Sequence, residues 1–326
     1  SSSMRLLSGL HAYCAIFMSI GHIGQKVIVL PEVAGGHFSV KAILDRLGYR
    51  TLEMIVDQQH HCIDIDATLR LMRRERPSFL LVDRSEGLTY QDLSALAREP
   101  YVYGIFDASQ YLPQIISGTY RHPFSRGFSL LVSTLHKSFP GPQKALVATR
   151  SHDKTWSKLM AGLGRYVSSI HVKTTYLAGF ALSVFAQLGP AYSETMLANA
   201  LQLDDELRRM SVPVVPRGCD EPPTQHIWIQ ADSQGQAYQW FRDLERVRIH
   251  VNYRKLPYGL GYGLRLGTAS LTLRSLKSTE ALKSIAQCIA VTLHRGFQLE
   301  VRHAVREISA TMKGGHGEHA STTTVR

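Results

Sequence analysis

Lys137, Asp107 and Arg265 are the side chains whose type and spacing could do chemistry together. Lys137 sits in Leu130-Leu-Val-Ser-Thr-Leu-His-Lys-Ser-Phe-Pro-Gly-Pro142. The apolar start of that segment reads as a buried strand, and Pro140-Gly141-Pro142 closes a turn behind the lysine. A lysine leaving a buried strand is expected to be partly desolvated, with a lowered amine pKa, so that its nitrogen can attack an aldehyde. The other reading is an exposed loop lysine. Asp107 ends a second buried-strand pattern, Tyr103-Gly-Ile-Phe-Asp107. Arg265 is the lone cation in the strand-like run Gly263-Leu-Arg265-Leu-Gly-Thr268. An unpaired guanidinium among apolar neighbours costs on the order of several kcal/mol. It therefore needs a carboxylate, either a structural partner or a bound amino acid gripped bidentately. A strand-end acid, a lysine thirty residues later and a buried arginine towards the C-terminus form the set that handles pyridoxal phosphate. In that set the lysine forms the Schiff base, the acid pairs with the pyridinium nitrogen, and the arginine clamps a substrate carboxylate.

The elements that would position these groups alternate. Residues 26–30, 50–56 and 78–82 read as strands, as do the segments ending at Asp107 and before Lys137. Residues 40–47, 64–74 and 92–98 read as helices between them. The pattern predicts an α/β fold, a mostly parallel sheet with helices on both faces. Function in such sheets gathers at the strands' carboxyl ends, where His37, Ser85, Asp107 and Lys137 all fall. Ser8-Gly9 opens an apolar helix that runs to about residue 20, and a helix start of that kind is a natural phosphate seat. Residues 152–210 read as helical, with the apolar stretch 177–188 a buried helix or part of a subunit interface. The Pro-rich segment 212–217 marks a boundary. Beyond it, strands at 226–230, 247–251 and 262–266 with helices at 237–246 and 278–293 predict a small α+β domain. The expected division is a large domain over 1–211, a small one over 212–312, and a disordered polar tail over 313–326.

The composition excludes several classes. The chain has 326 residues, with 44% hydrophobic and 19% charged content, enough for a substantial core. The net charge of +11 is spread out, and its densest cluster, Arg73-Arg74-Glu75-Arg76, sits at the polar end of a helix. No nucleic-acid footprint is expected from it. The longest apolar run, residues 12–20, is too short to cross a bilayer. Cys14, Cys62, Cys219 and Cys288 form no CxxC pair, which points to reduced thiols, a cytoplasmic protein and no metal site.

Three of these segments resemble the serine hydroxymethyltransferase family. His136-Lys137-Ser138 with Gly141-Pro142 is similar to its lysine segment, Asp107-Ala-Ser-Gln110 to its "DMAH" segment, and Gly263 through Arg274 to its "SGIRVGTPAITRRG" segment. The resemblance covers roughly residues 8–295. It implies the fold type I architecture of pyridoxal-phosphate enzymes, a homodimer, and a small amino acid as substrate. Residue by residue, it implies that Lys137 and Asp107 serve as above and that Ser8 and Gly9 bind the cofactor phosphate. It also implies that His37 stacks on the cofactor ring, that Ser85 lies near cofactor and substrate, and that Arg265 binds the substrate carboxylate. Gln110 stands where the family has a cofactor-contacting histidine, and an amide cannot titrate. His136 is either a packed neighbour or a proton carrier. Leu10 and His11 replace a serine and a glutamine of the family's phosphate loop, and Arg254 replaces an asparagine of its folate segment. The family's N-terminal arm is expected to be absent. These departures argue against tetrahydrofolate dependence. They favour aldol-type cleavage or exchange on serine, threonine or glycine, with an aldehyde acceptor in the case of a transaldolase. The alternatives are another fold type I reaction, transamination or racemisation, and a degenerate, non-catalytic protein of the same fold.

Overall fold

A computed structural model describes residues 1–274 and 279–314. The chain forms two compact units. The first holds Ser1–Ser193 with Gly218–Pro222, and the second holds Glu194–Arg217 with the chain from Pro223 onward.

The first unit is built on a seven-stranded sheet. In chain order its strands are β1 (Ser2–Leu6), β2 (Lys26–Val29), β3 (Arg50–Glu53), β6 (Phe79–Asp83), β7 (Tyr103–Asp107), β8 (Leu130–Thr134) and β9 (Ala145–Ala148), with a small hairpin of β4 (Val56–Asp57) and β5 (Cys62–Ile63) apart from it. The spatial order is β1-β9-β8-β7-β6-β2-β3. The run from β8 to β3 is parallel, while β9 and β1 join antiparallel. The mostly parallel sheet is therefore as the alternating pattern predicts. The two antiparallel strands were not legible, because β9 has only four residues and β1 is largely polar.

Alternate strand residues point to opposite faces. Val27, Leu81, Ile105, Leu130 and Val132 pack on one face with α1 (Gly9–Ile20), α2 (Ser39–Arg46) and α6 (Lys154–Tyr166). Ile28, Leu80, Val82, Phe106 and Leu131 point the other way and are buried as well. Burial on both faces is the condition of a parallel sheet and explains its nearly continuous apolar strands. Helix α1 anchors the first face through Ala12, Ile16, Phe17 and Ile20, with Phe17 edge-on to Tyr49 and Phe79 at 5.2 and 5.5 Å. The remaining helices of this unit are α3 (Ile65–Glu75), α4 (Ser94–Ala97), α5 (Leu112–Ile116) and the start of α7 (Val172–Arg209). In the single chain, Leu177, Phe180, Val184 and Leu188 of α7 are exposed rather than buried.

The second unit has an antiparallel sheet of β10 (His226–Gln230), β12 (Tyr262–Gly267) and β11 (Asn252–Lys255), in that order. Its core joins Ile227, Ile229, Leu264 and Leu266 to α8 (Gln234–Arg246) and α10 (Thr279–Arg295). The strand expected at 247–251 is displaced to Asn252–Lys255. Arg248 adopts a left-handed φ of 70°, and Ile249 N–H returns to the Leu244 carbonyl at 2.9 Å, a helix-closing turn that takes up those residues. Helix α9 (Ala269–Arg274) follows β12, and α11 (Leu299–Gly314) extends beyond the helix expected to be last. Ser278 and the polar tail from residue 315 lie outside the described residues. No helix among the described residues is long and apolar enough to cross a membrane.

Phe17 is 1% exposed at the centre of the α1 face. Phe17→Ala is expected to lower the unfolding free energy by roughly 3–5 kcal/mol, read from urea denaturation.

Candidate functional site

Strands β6, β7 and β8 end side by side, with Asp83 in register with Asp107 and Asp107 with Val132. Side-chain alternation then puts Asp83, Asp107 and Thr134 on the face that α1 covers, in line with Leu81, Ile105 and Val132. Neighbouring strands lie about 4.8 Å apart, so the two carboxyls are close neighbours. Both are buried, at 7% and 5% exposure. Asp107 Oδ1 accepts from Ser109 N–H at 2.6 Å, and its Oδ2 accepts from the Tyr13 hydroxyl of α1. Ser85 Oγ donates to Asp83 Oδ1 at 3.3 Å. Burial, and then the charge of Asp107, push the Asp83 carboxyl up to about 7, while Lys137 pulls it back down. Lys137 is thus near enough to act on Asp83 electrostatically. Burial first, then Asp107 and Asp83, hold the Tyr13 phenol well above its usual value.

Helix α1 starts against the same acid. Its cap, Ser8, accepts from His11 N–H at 3.2 Å. A Cβ on Gly9 would lie 3.5 Å from Asp107 Oδ2 and 3.8 Å from Thr134 Cγ2. The helix-start amides and the positive end of the dipole are therefore at the strand ends. Basic groups gather around this start. Burial, then His171 and Lys144, lower the His11 imidazole. Lys144 is fully buried, its Nζ donating to the Ile170 carbonyl at 2.8 Å, and desolvation lowers its amine.

The lysine turn is fixed from below. Gly141 N–H donates to the Leu135 carbonyl at 2.8 Å, and Leu135 N–H to the Lys144 carbonyl at 2.9 Å. Buried Ser138 donates to the Ser109 carbonyl at 3.0 Å and its own carbonyl accepts from Tyr192 at 3.0 Å. Leu135 and Phe139 are buried, which turns His136 and Lys137 outward, and both are exposed. The partial desolvation expected for Lys137 is therefore corrected: the turn lifts it clear of the sheet. Desolvation, then the charge of Lys137, lower the His136 imidazole.

The other expected residues are placed less centrally. The glycine before His37 bridges to Arg84 at the end of β6, bringing that loop beside Asp83. The His37 ring stacks on Phe38 at 4.6 Å, and its Nδ1 accepts from Ser39 N–H at 3.2 Å. Gln110 is buried just beyond Asp107. Arg265 belongs to the second unit, on β12 between Trp228 and Asn252, and is half-buried rather than buried. The first unit thus brings together Ser8, Gly9, Ser85, Asp107 and Lys137. Sequence reasoning missed Asp83, Tyr13 and Lys144. Asp83 carried a usable signal, since it ends a buried strand in the same way as Asp107. Nothing in the local sequence marks Tyr13 or Lys144.

These residues fit pyridoxal phosphate. Among the described residues, the buried Thr134 Oγ1 has no hydrogen-bond partner, and the Thr134 methyl lies against Gly9 beside Asp107. A buried hydroxyl without a partner is costly unless a ligand supplies one. The helix start suits a phosphate, Asp107 suits a ring nitrogen bearing a proton, and Lys137 is an amine close enough to act on Asp83. No cluster of three His, Cys, Asp or Glu side chains that could hold a metal occurs among the described residues.

Comparison with known proteins agrees with this geometry. The profile of the serine hydroxymethyltransferase family matches residues 2–289. A fluorothreonine transaldolase of Streptantibioticus cattleyicolor is 29% identical over 315 residues, which is 94% of this chain but 48% of that protein. A serine hydroxymethyltransferase of Pyrobaculum neutrophilum is 26% identical over 317 residues, covering 93% of this chain and 73% of that enzyme. The crystal structure of an L-threonine transaldolase from Pseudomonas fluorescens, in its internal aldimine state, superposes with a TM-score of 0.88 at 19% identity. It covers 96% of this chain and 72% of that one, and shows the shared fold.

Tyr192→Phe removes the bond to the Ser138 carbonyl. It is expected to cost about 1 kcal/mol and to speed hydrogen exchange at the Gly141 amide, measured by NMR or mass spectrometry.

Proposed function

Because the chain belongs to the serine hydroxymethyltransferase family of pyridoxal-phosphate enzymes, we propose that it cleaves or exchanges the bond between the α and β carbons of a β-hydroxy amino acid, serine or threonine, or acts on glycine. The observation that carries this reading is buried Asp107 at the strand ends against the start of α1, with Lys137 close enough to act on its strand neighbour Asp83. Bound at that point, the cofactor supplies an electron sink for the broken bond.

This chain's own residues have separable roles. Lys137, exposed on its turn, would supply the amine that holds the cofactor. Asp107 would pair with the ring nitrogen, and the Ser109 amide and Tyr13 hydroxyl hold its carboxyl in place. The amides at Gly9 and the Ser8 hydroxyl would seat the phosphate, with the Lys144 amine close enough to act on His11 beside them. Thr134 Oγ1, Ser85 and Gln110 offer polar contacts, and His37 offers an aromatic face. His136, exposed beside Lys137 and shifted towards its neutral form, is suited to carry a proton. Arg265 binds the substrate carboxylate.

Within this class a folate-independent aldolase or transaldolase fits best, with an aldehyde as acceptor in the second case. Arg254 in place of the folate-segment asparagine supports it, as does the transaldolase relative that matches 94% of the chain. We also propose the large and small domains divided near residue 211, and a homodimer. The dimer is supported by the exposed apolar residues Leu177, Phe180, Val184 and Leu188, spaced three and four apart on α7. The scattered thiols fit a reducing, cytoplasmic setting.

Absorption spectroscopy of wild type and Lys137→Ala with added pyridoxal phosphate tests the reading. A visible band is expected in wild type alone, and L-threonine is expected to yield acetaldehyde without tetrahydrofolate. A keto acid in place of acetaldehyde would assign transamination. The absence of a Lys137-dependent band would leave a non-catalytic protein of this fold.

A further inference from the structure

Asp83 has no part in the reaction as described, although it is buried beside the acid that does. Its strand neighbour Asp107 faces the same way in register. The Tyr13 hydroxyl bonds to Asp107 and lies close enough to Asp83 to act on it. Two carboxyls at that spacing in a poorly hydrated site repel each other, and burial and Asp107 outweigh the pull of Lys137 on Asp83, which favours one proton held between the pair. We propose that Asp83 is a positioning residue that shares one proton with Asp107, so that the pair presents the cofactor's ring nitrogen with a charge that changes with pH. The ring-nitrogen part of the inference rests on the function proposed above. The proton sharing does not.

The surroundings leave few other groups to do this. Asp107 faces Asp83 from β7, Tyr13 from α1, and Lys137 from the turn after β8; Ser85 donates to it from its own strand end. On the β2 side, the loop bearing His37 bridges Arg84 through Gly36. Tyr13 keeps its proton throughout the neutral range, because its phenol is held well above its usual value. Among these groups Lys137 is a cation, and it favours the charged form of Asp83. A ring nitrogen carrying a proton would add a second cation. Its arrival would draw the shared proton off the pair, so binding and proton release are linked.

The sign follows. The Asp83 carboxyl titrates higher in the folded protein than in the unfolded chain. Its contribution to stability is therefore present in acid and is lost as pH rises from about 4 to about 7.

Two measurements decide the matter. The first uses the protein without cofactor. The melting temperature of wild type is expected to fall between pH 4.5 and 7.5, and Asp83→Asn is expected to flatten that fall and to melt higher at pH 7.5. Tyr13→Phe, which leaves both carboxyls, is expected to move the midpoint of the fall to higher pH, because the hydroxyl helps hold the charge. The second compares the affinity for pyridoxal phosphate with that for its analogue bearing carbon in place of the ring nitrogen, so that contributions from Lys137 and the phosphate cancel in the ratio. In wild type the ratio is expected to rise between pH 6 and 8 by up to about tenfold per pH unit, the limit for one proton. In Asp83→Asn it is expected to stay flat. If the variants keep the wild-type profile in the melting measurement, the shared proton is overturned. If the ratio is pH-independent in wild type, the link to the ring nitrogen is overturned. Failure of pyridoxal phosphate to give a Lys137-dependent band would sink the proposed function, and the melting measurement would still decide the pair.

Discussion

Two carboxyls buried side by side at the ends of β6 and β7 constrain everything around them. Low dielectric and mutual repulsion make the doubly charged pair costly. Each neighbour on the α1 face answers part of that cost. The Ser109 amide and the Tyr13 hydroxyl bond to Asp107, Ser85 bonds to Asp83, and the lysine turn brings a cation close enough to act. The helix that delivers Tyr13 also delivers Gly9, so one packing arrangement sets both the acid pair and the helix start against it. Phe17 and Ile16, further along the same helix, anchor it on the sheet.

The lysine turn is positioned differently. Its flanks are buried and its middle is lifted outward. Phe139 and Leu135 pack inward, Tyr192 and Ser109 hold the Ser138 backbone and side chain, and His136 and Lys137 are left exposed. A rigid frame around an exposed amine suits a group that must exchange partners. Lys144, His11 and His171 lie close enough near the start of α1 to act on one another.

Much of this was legible along the chain. Continuous apolar strands between amphipathic helices announced a parallel sheet covered on both faces, since only burial on both sides removes the polar alternation. Asp107, Lys137 and Ser85 were legible because strand ends in such a sheet are where side chains leave the core together. Ser8 and Gly9 were legible from the helix start. The antiparallel strands β1 and β9 were not, because short or polar segments pair by what lies beside them. The strand at Asn252–Lys255 was misplaced by a few residues, because the left-handed Arg248 that closes α8 leaves no periodic trace.

The sequence by itself determined the fold class, the family and the order of the acid, the lysine and the arginine, since these depend on residue types and on spacing along the chain. Only the tertiary structure decided that Asp83 is the neighbour of Asp107, that Tyr13 bonds to it, and that Lys137 stands exposed. Register between strands brings residues far apart in sequence within a few ångströms of each other, and desolvation depends on what is packed around a group rather than on its place in the chain.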